Sequence, residues 1–149
     1  MAQWIETKLR YQKIMENGAV KKVTEPYLVD ALSFAEAEAR IIEEMKPYIS
    51  GEFEVKAVKK AKIAEVFGLD YDEDGKWWKI RAAFITLDER TGSDKKTPHD
   101  YLIKAEEIRE AITGFQHEIS MLADYEIISV AETPILNIFP AKLSEINII

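Results

Sequence analysis

The chain of 149 residues is 47% hydrophobic and 32% charged, which is typical of one globular domain or of two small ones packed together. Its net charge of −7 argues against simple phosphate-driven binding of nucleic acid, and the absence of cysteine excludes disulfides and thiolate chemistry. No apolar run approaches the ~20 residues that span a bilayer, and the N-terminal stretch lacks the apolar segment of a secretory signal, so we expect a cytoplasmic protein without a membrane partner.

The first predicted element is a strand that begins near Trp4. Alternation places four side chains on one of its faces: Ile5, Thr7, Leu9 and Tyr11. Asn17 and Gly18 then predict a hairpin turn of type I′, which suits their tolerance of positive φ angles. A second strand follows and is clearest at residues 27–31. Pro26 lies just ahead of it and predicts that this strand starts late or lies at a sheet edge.

A helix comes next. Ser33 and Glu36 have the spacing of a capping box at its N-terminus. Five residues follow the spacing of a buried helical stripe: Phe34, Ala37, Ile41, Met45 and Tyr48. The following apolar segment, Phe53 to Phe67, would extend roughly 50 Å as one strand, so it is expected to bend or split.

The second half of the chain repeats this order. Residues 4–48 and 78–122, at an offset of 74, share ten identical positions, and "KKVTEPYLVDA" at 21–31 returns as "KKTPHDYLIKA" at 95–105. The helical stripe returns as Ile108, Ala111, Phe115, Ile119 and Leu122. The third strand returns at an offset of 72, where Pro134 and an apolar phase shift at 127–130 mark a bend. The second helix lacks the serine cap but starts with acidic residues that complement its dipole.

These patterns predict an α+β fold made by tandem duplication of a ββαβ unit, with a mostly antiparallel sheet, two helices and a pseudo-twofold relation. The predicted division is a first repeat at 1–69, an acidic linker at 70–76 and a second repeat with a C-terminal tail at 77–149, forming one compact domain overall. We favour a sandwich in which the repeats cover one another. The alternatives are one continuous sheet with both helices on one side, or two lobes with a groove between them.

The first strand is imperfectly in phase between the two halves. Trp4 matches Trp78 at an offset of 74, whereas Ile5 matches Ile80 at an offset of 75. A bulge or a one-residue register change in one copy would explain the difference.

An acidic loop is the one candidate metal site. Asp70, Asp72 and Asp74, followed by Gly75, match the first half of an EF-hand loop. The twelfth position is Arg81 instead of a bidentate glutamate, so a solvated linker is the favoured interpretation and the cation site a weak candidate.

The candidate ligand-binding surface is basic and aromatic. Trp77, Lys79 and Arg81 interleave rings with cations, as surfaces for single-stranded nucleic acid do. Lysine pairs at equivalent positions of the two repeats add to it: Lys21 and Lys22, and Lys95 and Lys96. The competing interpretation is that the tryptophans are core anchors and that the lysines are solvated or protect strand edges from aggregation.

Signatures of catalysis are weak. His99 and His117 are expected to be exposed to solvent, and neither belongs to a hydrolase-like arrangement or to a pair with metal-ligand spacing. The chain has no glycine-rich phosphate loop. Dispersed carboxylates permit acid–base chemistry in principle, but no pair stands out. We therefore predict no catalytic residue and no cofactor.

Three stretches carry a family resemblance: "WIETKLRYQKIMENGAVKKVTEPYLVDALSFAEAEARI", "TPHDYLIKA" and "ADYEIISVAETPILNIF". Together they resemble an uncharacterised domain-of-unknown-function family of gut anaerobes and their phages. The resemblance implies a small intracellular protein that travels on phages or other mobile elements. It transfers no active site, and by analogy alone it favours the handling of single-stranded DNA.

Three functions follow in order of preference. The first is a non-enzymatic binding or scaffolding module that engages a protein partner or a second copy of itself. The second is an accessory protein that binds single-stranded nucleic acid. The third is an enzyme that uses dispersed carboxylates.

Overall fold

A computed structural model describes residues 3–71, 74–119 and 124–141, and these contain two helices and eight strands in two sheets. In chain order the elements are β1 (Trp4–Ile14), β2 (Val20–Asp30), α1 (Phe34–Met45), β3 (Phe53–Lys60), β4 (Glu65–Phe67), β5 (Lys76–Leu87), β6 (Asp94–Ala105), α2 (Ile108–Ile119), β7 (Tyr125–Glu132) and β8 (Asn137–Phe139). The α+β class is confirmed, and the predicted alternative of one continuous sheet is wrong. Neither of the described helices is long and apolar enough to cross a bilayer.

The chain divides into two compact units that do not coincide with the two halves of the sequence. Unit 1 comprises the chain up to Ala61 together with the segment from Pro134 onward, and unit 2 comprises Lys62–Thr133. The sheet of unit 1 has the strand order β3-β1-β2-β8, and that of unit 2, read in the same sense, has the order β7-β5-β6-β4. The chain therefore passes between the units twice, once after β3 and once after β7.

The last short strand of each half of the sequence lies in the sheet of the other unit. β4, from the first half, belongs to unit 2, and β8, from the second half, belongs to unit 1. The long third strand splits in both halves, as predicted, at residues 61–64 and at residues 133–136, which include Pro134. The short piece β4 then runs parallel to β6, and β8 runs parallel to β2. The two units thus share one topology, while the origin of that likeness by gene duplication and the pseudo-twofold relation stay predictions.

The registers of the two units show how their first strands correspond. Val29 lies opposite Ile5 in the β1–β2 ladder, and Ile103, 74 residues after Val29, lies opposite Trp78 in the β5–β6 ladder. Ile5 therefore corresponds to Trp78, which is 73 residues later. The offset is one residue smaller in the first strand than in the second.

The alignment predicted for the tryptophans is wrong for the same reason. Trp4 corresponds to Trp77 and not to Trp78. Both hairpin ladders run without a register shift, so the predicted one-residue difference between the two copies does not come from a bulge in either hairpin ladder. The extra residue lies in the hairpin connection, which spans 15–19 in unit 1 and 88–93 in unit 2. Connections accept insertions at lower cost than paired strands do.

The first hairpin turn forms at the predicted place but has a different type. Gly18 has a φ of +83°, whereas no described residue other than glycine has a positive φ, so Asn17 does not adopt the type I′ conformation. The Gly18 N–H donates to the Met15 carbonyl at 2.9 Å, and the Met15 N–H donates to the Ala19 carbonyl at 2.8 Å. The result is a tight turn closed by a left-handed glycine. Gly92, with a φ of +71°, has this role in the second hairpin.

A bulge bends the third strand of each unit at the same place. The register shifts opposite Lys8/Leu9 in unit 1 and opposite Arg81/Ala82 in unit 2. These shifts leave Lys56 and Ile128 without a partner in the ladder. The bend predicted from the apolar phase at 127–130 is therefore confirmed, and β3 lies at a sheet edge where its lysines discourage edge-to-edge pairing.

Pro26 does not delay the second strand. β2 starts at Val20 and includes Pro26 within its ladder to β1, so the predicted late start is wrong. The structure tolerates the proline because β8 pairs only with 27–29. On that side of β2 the Pro26 carbonyl accepts from the Leu136 N–H at 3.1 Å, and β8 does not pair with the Pro26 nitrogen, so its missing N–H costs little.

Both helices begin with a carboxylate that binds backbone N–H groups. In α1 the Glu36 N–H donates to Ser33 Oγ at 3.1 Å, which confirms the serine half of the capping box. Glu36 Oε2 accepts from the Leu32 N–H at 2.9 Å, one residue before the N-cap whose N–H a capping box uses. In α2 the Glu110 carboxylate accepts from the Glu106 N–H at 3.3 Å. The Ser33 contact satisfies one donor that the helix N-terminus leaves unpaired, and the two glutamate contacts hold the residues that lead into the helices.

The middle of each predicted helical stripe forms the core of its unit. The buried members are Ala37, Ile41, Met45, Ala111, Phe115 and Ile119. The ends of the stripes are exposed: Phe34 to 53%, Tyr48 to 79% and Ile108 to 47%. Leu122 lies outside the described residues. These helices pack on the sheet faces that contain Ile5 and Leu9 in unit 1 and Ile80 in unit 2.

Arg40 of α1 connects the end of β2 to the residue that follows β8. Arg40 is 5% exposed, and its guanidinium donates to the carbonyls of Asp30 and Pro140, both at 2.9 Å, while Glu44 Oε1 lies 3.6 Å from Arg40 Nη2. Asp30 ends β2, and Pro140 follows β8. One side chain on α1 therefore joins the end of the first hairpin to a strand from the other half of the sequence.

We expect Arg40→Ala to lower the free energy of unfolding by about 2 kcal/mol, because it leaves two carbonyls without their donor and opens space in a packed site. Urea unfolding followed by tryptophan fluorescence measures the change. The exposed Arg109 on α2 provides a control, since Arg109→Ala should change stability by less than about 0.5 kcal/mol. Equal effects of the two substitutions would contradict the role given to Arg40.

Candidate functional site

The predicted lysine pairs do not form single basic points. Successive residues of a strand face opposite sides of the sheet, so Lys21 and Lys22 of β2 point to different faces, and Lys95 and Lys96 of β6 do the same. Lys21 lies on the helix-covered face, opposite Lys13. Lys22 lies on the other face. The two pairs also belong to different units.

The tryptophans of the predicted aromatic surface are buried. Trp77 is 4% exposed and Trp78 is 9% exposed. Trp78 faces α2 and its Nε1–H donates to the Ala105 carbonyl at 2.8 Å, whereas Trp77 lies on the opposite face of β5. A ring that bases stack on must be open to solvent, so the stacking role predicted for Trp77 does not fit its burial. Both residues fit the competing interpretation of core anchors.

Carboxylates lie beside several cations of unit 2. Lys96 Nζ is 2.9 Å from Glu126 Oε1, and Arg81 Nη1 is 3.4 Å from Asp100 Oδ1. Lys79 is exposed on β5. Mixed charge of this kind offers weak attraction to a phosphate backbone compared with a continuous basic stripe.

The acidic loop is described in part. Asp70 and Asp74 are exposed, while Asp72 lies outside the described residues. Across the described ranges no three His, Asp or Glu side chains are grouped as metal ligands. His99 and His117 are exposed, as predicted, and the ring of His99 lies 6.0 Å from that of Phe84.

A cleft of about 600 Å³ opens at the hairpin end of the unit 1 sheet. Its lining residues are Arg10, Tyr11, Gln12, Ile14, Val20, Lys22, Ser50, Gly51, Glu52, Phe53 and Glu54. The cleft lies where the β1–β3 ladder ends at Tyr11 and Phe53 while β1 continues to Ile14. We call this feature the hairpin cleft. Of the predicted site residues, Lys22 lies in the lining of the cleft, and Lys21 lies on the opposite, helix-covered face of the same strand.

The hairpin cleft has an apolar lip. Ile14 and Val20 lie directly opposite one another at the end of the β1–β2 ladder and are 69% and 60% exposed. The corresponding pair in unit 2 is Leu87 and Asp94. An exposed β-branched pair is therefore specific to unit 1. Exposed apolar side chains beside polar ones are common at binding surfaces.

A carboxylate with two phenol partners lies next to the cleft. Tyr11 Oη donates to Glu25 Oε1 at 2.6 Å, and Tyr27 Oη donates to the same oxygen at 3.1 Å. Lys13 Nζ is 3.7 Å from Glu25 Oε2. Burial first, and then the hydrogen bond and charge of Glu25, raise the pKa of Tyr11 to about 12. The pKa of Tyr27 is also raised, by burial first and then by Glu25.

Unit 2 has an aromatic cluster at the corresponding place. The positions of Tyr11, Glu25 and Tyr27 are taken by Phe84, His99 and Tyr101, as the ladder registers show. Tyr101 packs on Phe115 with ring centroids 5.2 Å apart. The carboxylate network is thus a specialisation of unit 1, on the same hairpin as the cleft.

Sequence reasoning missed Ile14, Val20, Glu25 and Arg40. Ile14 and Val20 flank the predicted turn, and their apolar side chains beside a polar loop were an available signal. Arg40 falls on the buried side of α1, three residues after Ala37, which was also an available signal. Glu25 gave no signal, because its contact with Tyr11 depends on a register that the turn type fixes.

The fold and the cleft together define a two-unit α+β protein with exchanged short strands and an open cleft on unit 1. The chain belongs to the DUF4494 family, a domain of unknown function, whose sequence profile matches residues 3–141. No curated protein and no solved structure matches the chain with significant similarity.

We expect Glu25→Gln to lower the pKa of Tyr11, because the charge and the strongest hydrogen-bond acceptor are lost while burial remains. The ζ-carbon NMR signals of the tyrosines, followed from pH 9 to 13, measure the change. Because the folded pKa lies above the ordinary value near 10, the stability contributed by Tyr11 is complete below pH ~10 and is lost as the pH rises to about 12.

The exposed Glu16 gives the matched control, because Glu16→Gln lies in the hairpin turn and leaves Glu25 in place. The two variants differ only in which carboxylate is lost. An unchanged titration of Tyr11 in Glu25→Gln would show that the network does not control this phenol.

Proposed function

We propose that the protein is a non-enzymatic binding or scaffolding module that docks a partner protein at the hairpin cleft of unit 1. The observation that carries this proposal is the exposed Ile14–Val20 pair at the lip of the cleft. Two β-branched side chains more than half exposed represent apolar area that a partner would remove from water, which favours association.

The difference between the two units supports this assignment. At the position of Val20, unit 2 has the charged Asp94, and only Leu87 is apolar. A role in folding alone would not require Ile14 and Val20 to be exposed, since neither belongs to the buried core cluster of unit 1. Selection for a surface on one unit accounts for a difference that the shared topology does not need.

The nucleic-acid alternative has less support. Both rings of the predicted stacking surface are buried, and carboxylates accompany Lys96 and Arg81. The association with phages or mobile elements, implied by the resemblance to proteins of gut anaerobes and their phages, stays part of the proposal, as does a cytoplasmic location.

Site-specific photocrosslinking tests the proposal. We expect a photoreactive benzoyl-phenylalanine at position 14 to give a discrete protein adduct in cells that produce the protein. The same residue at position 87 is the matched control, because Leu87 occupies the equivalent strand end and is 65% exposed. Adducts from position 87 should be absent or weak.

Three results would contradict the proposal: equal adducts from both positions, adducts only with nucleic acid, and no adduct from position 14. An adduct between two copies of the chain would redirect it to self-association. Sedimentation velocity of the purified protein distinguishes this last case from a separate partner.

A further inference from the structure

The hairpin cleft contains a free stretch of sheet edge. The Met15 N–H bonds to the Ala19 carbonyl across the hairpin, which places Met15 in a hydrogen-bonded pair of the β1–β2 ladder. In an antiparallel strand the hydrogen-bonding direction alternates with each residue. The N–H and C=O groups of Gln12 and Ile14 therefore point away from β2, toward the side on which β3 lies.

None of the strands described in unit 1 covers these groups. The β1–β3 ladder ends at Tyr11 and Phe53, whereas β1 continues for three more residues to Ile14. The corresponding edge in unit 2 is partly covered, because the Ile85 N–H donates to the Asp124 carbonyl at 3.0 Å. The ladder registers make Gln12 the counterpart of Ile85, and the described part of unit 1 shows no equivalent backbone bond at Gln12.

The two faces of the sheet differ in chemistry beside this edge. We call the face that α1 does not cover the outward face. Ile14 of β1 and Val20 of β2 lie on it, and both are apolar and exposed. On the helix-covered face, Lys13 lies directly opposite Lys21. Glu25 is the carboxylate nearest to Lys13, at 3.7 Å, and it already accepts two phenol hydrogen bonds. Two like charges opposite one another are unfavourable and leave room for an added negative charge.

We propose that the hairpin cleft binds an extended peptide that adds as a strand to the β1 edge at Gln12–Ile14, with an acidic residue directly next to an apolar one. The backbone of the peptide pairs with the free groups of Gln12 and Ile14. Its apolar side chain extends the Ile14–Val20 row, and the adjacent carboxylate extends the Lys13–Lys21 row. Pairing of main chains gives affinity in such complexes, and alternate side chains give specificity.

Glu54, a carboxylate of the cleft lining, does not oppose this arrangement. It is paired with Arg10 across the β1–β3 ladder and lies on the outward face. The acidic ligand side chain points to the other face. This proposal rests on the proposed function and specifies the chemistry of the partner segment.

An NMR titration tests the proposal. The probe is a blocked hexapeptide of alternating aspartate and valine, compared with its lysine–valine counterpart and added to the ¹⁵N-labelled full chain. We expect the largest amide shifts at residues 12–14 with the acidic peptide, and binding about tenfold weaker for the basic peptide. No shift at residues 12–14 with either peptide at millimolar concentration would overturn the proposal, as would equal binding of both.

Two matched pairs of variants separate main-chain pairing from charge. Gln12→Pro removes the N–H that points to the free edge and leaves every bond of the β1–β2 ladder in place, so it should abolish the shifts. Gln12→Ala should retain them. Lys21→Glu should weaken binding of the acidic peptide about tenfold, and Lys95→Glu, its counterpart in unit 2, should have no effect. Retained binding in Gln12→Pro, with a dispersed spectrum that shows the variant to be folded, would refute strand addition.

The outcomes for the two proposals remain distinguishable. Protein adducts at position 14 without peptide-induced shifts at residues 12–14 would leave the binding function standing and overturn strand addition. The absence of adducts at position 14, together with the absence of shifts, would overturn both.

Discussion

The pairing of the short strands β4 and β8 with the opposite half of the chain is the constraint on which the rest of the structure depends. Each contributes only three residues, yet each covers part of the second edge of a hairpin strand, β4 on β6 and β8 on β2. Because the exchange is reciprocal, neither half of the sequence contains a complete sheet. Arg40 reinforces the connection on one side through the Pro140 carbonyl.

The shared topology makes the differences between the units informative. Unit 2 fills the space beneath its hairpin with stacked aromatic rings, while unit 1 has a carboxylate with two tyrosine partners there. Beyond that network the sheet edge of unit 1 is open and has an apolar lip, whereas the edge of unit 2 is partly covered by Asp124. Unit 2 thus has aromatic packing where unit 1 has an open sheet edge, which is the surface that we propose for partner binding.

Local patterns predicted the elements well because they depend on neighbours in the chain. The alternation at Ile5, Thr7 and Leu9, the Ser33 cap and the split at Pro134 all belong to this kind. The exchange could not be predicted, because the segments 27–29 and 101–103 are nearly identical in sequence. Either could pair with β4, and the structure pairs it with 101–103. The sequence did not decide whether Trp77 is buried. Alternate residues of a strand are exposed only where the second face of the sheet contacts solvent, and Trp77 is 4% exposed. The hairpin cleft depends on the unequal lengths of β1 and β3, which no single segment reveals.

The most direct test of the account is a set of interstrand nuclear Overhauser effects in the intact protein. The exchange predicts contacts between the backbone protons of Val66 and residues 101–103, and between those of Ile138 and residues 27–29. Contacts of Val66 with residues 27–29, or of Ile138 with residues 101–103, would show that each half completes its own sheet and would contradict the central claim.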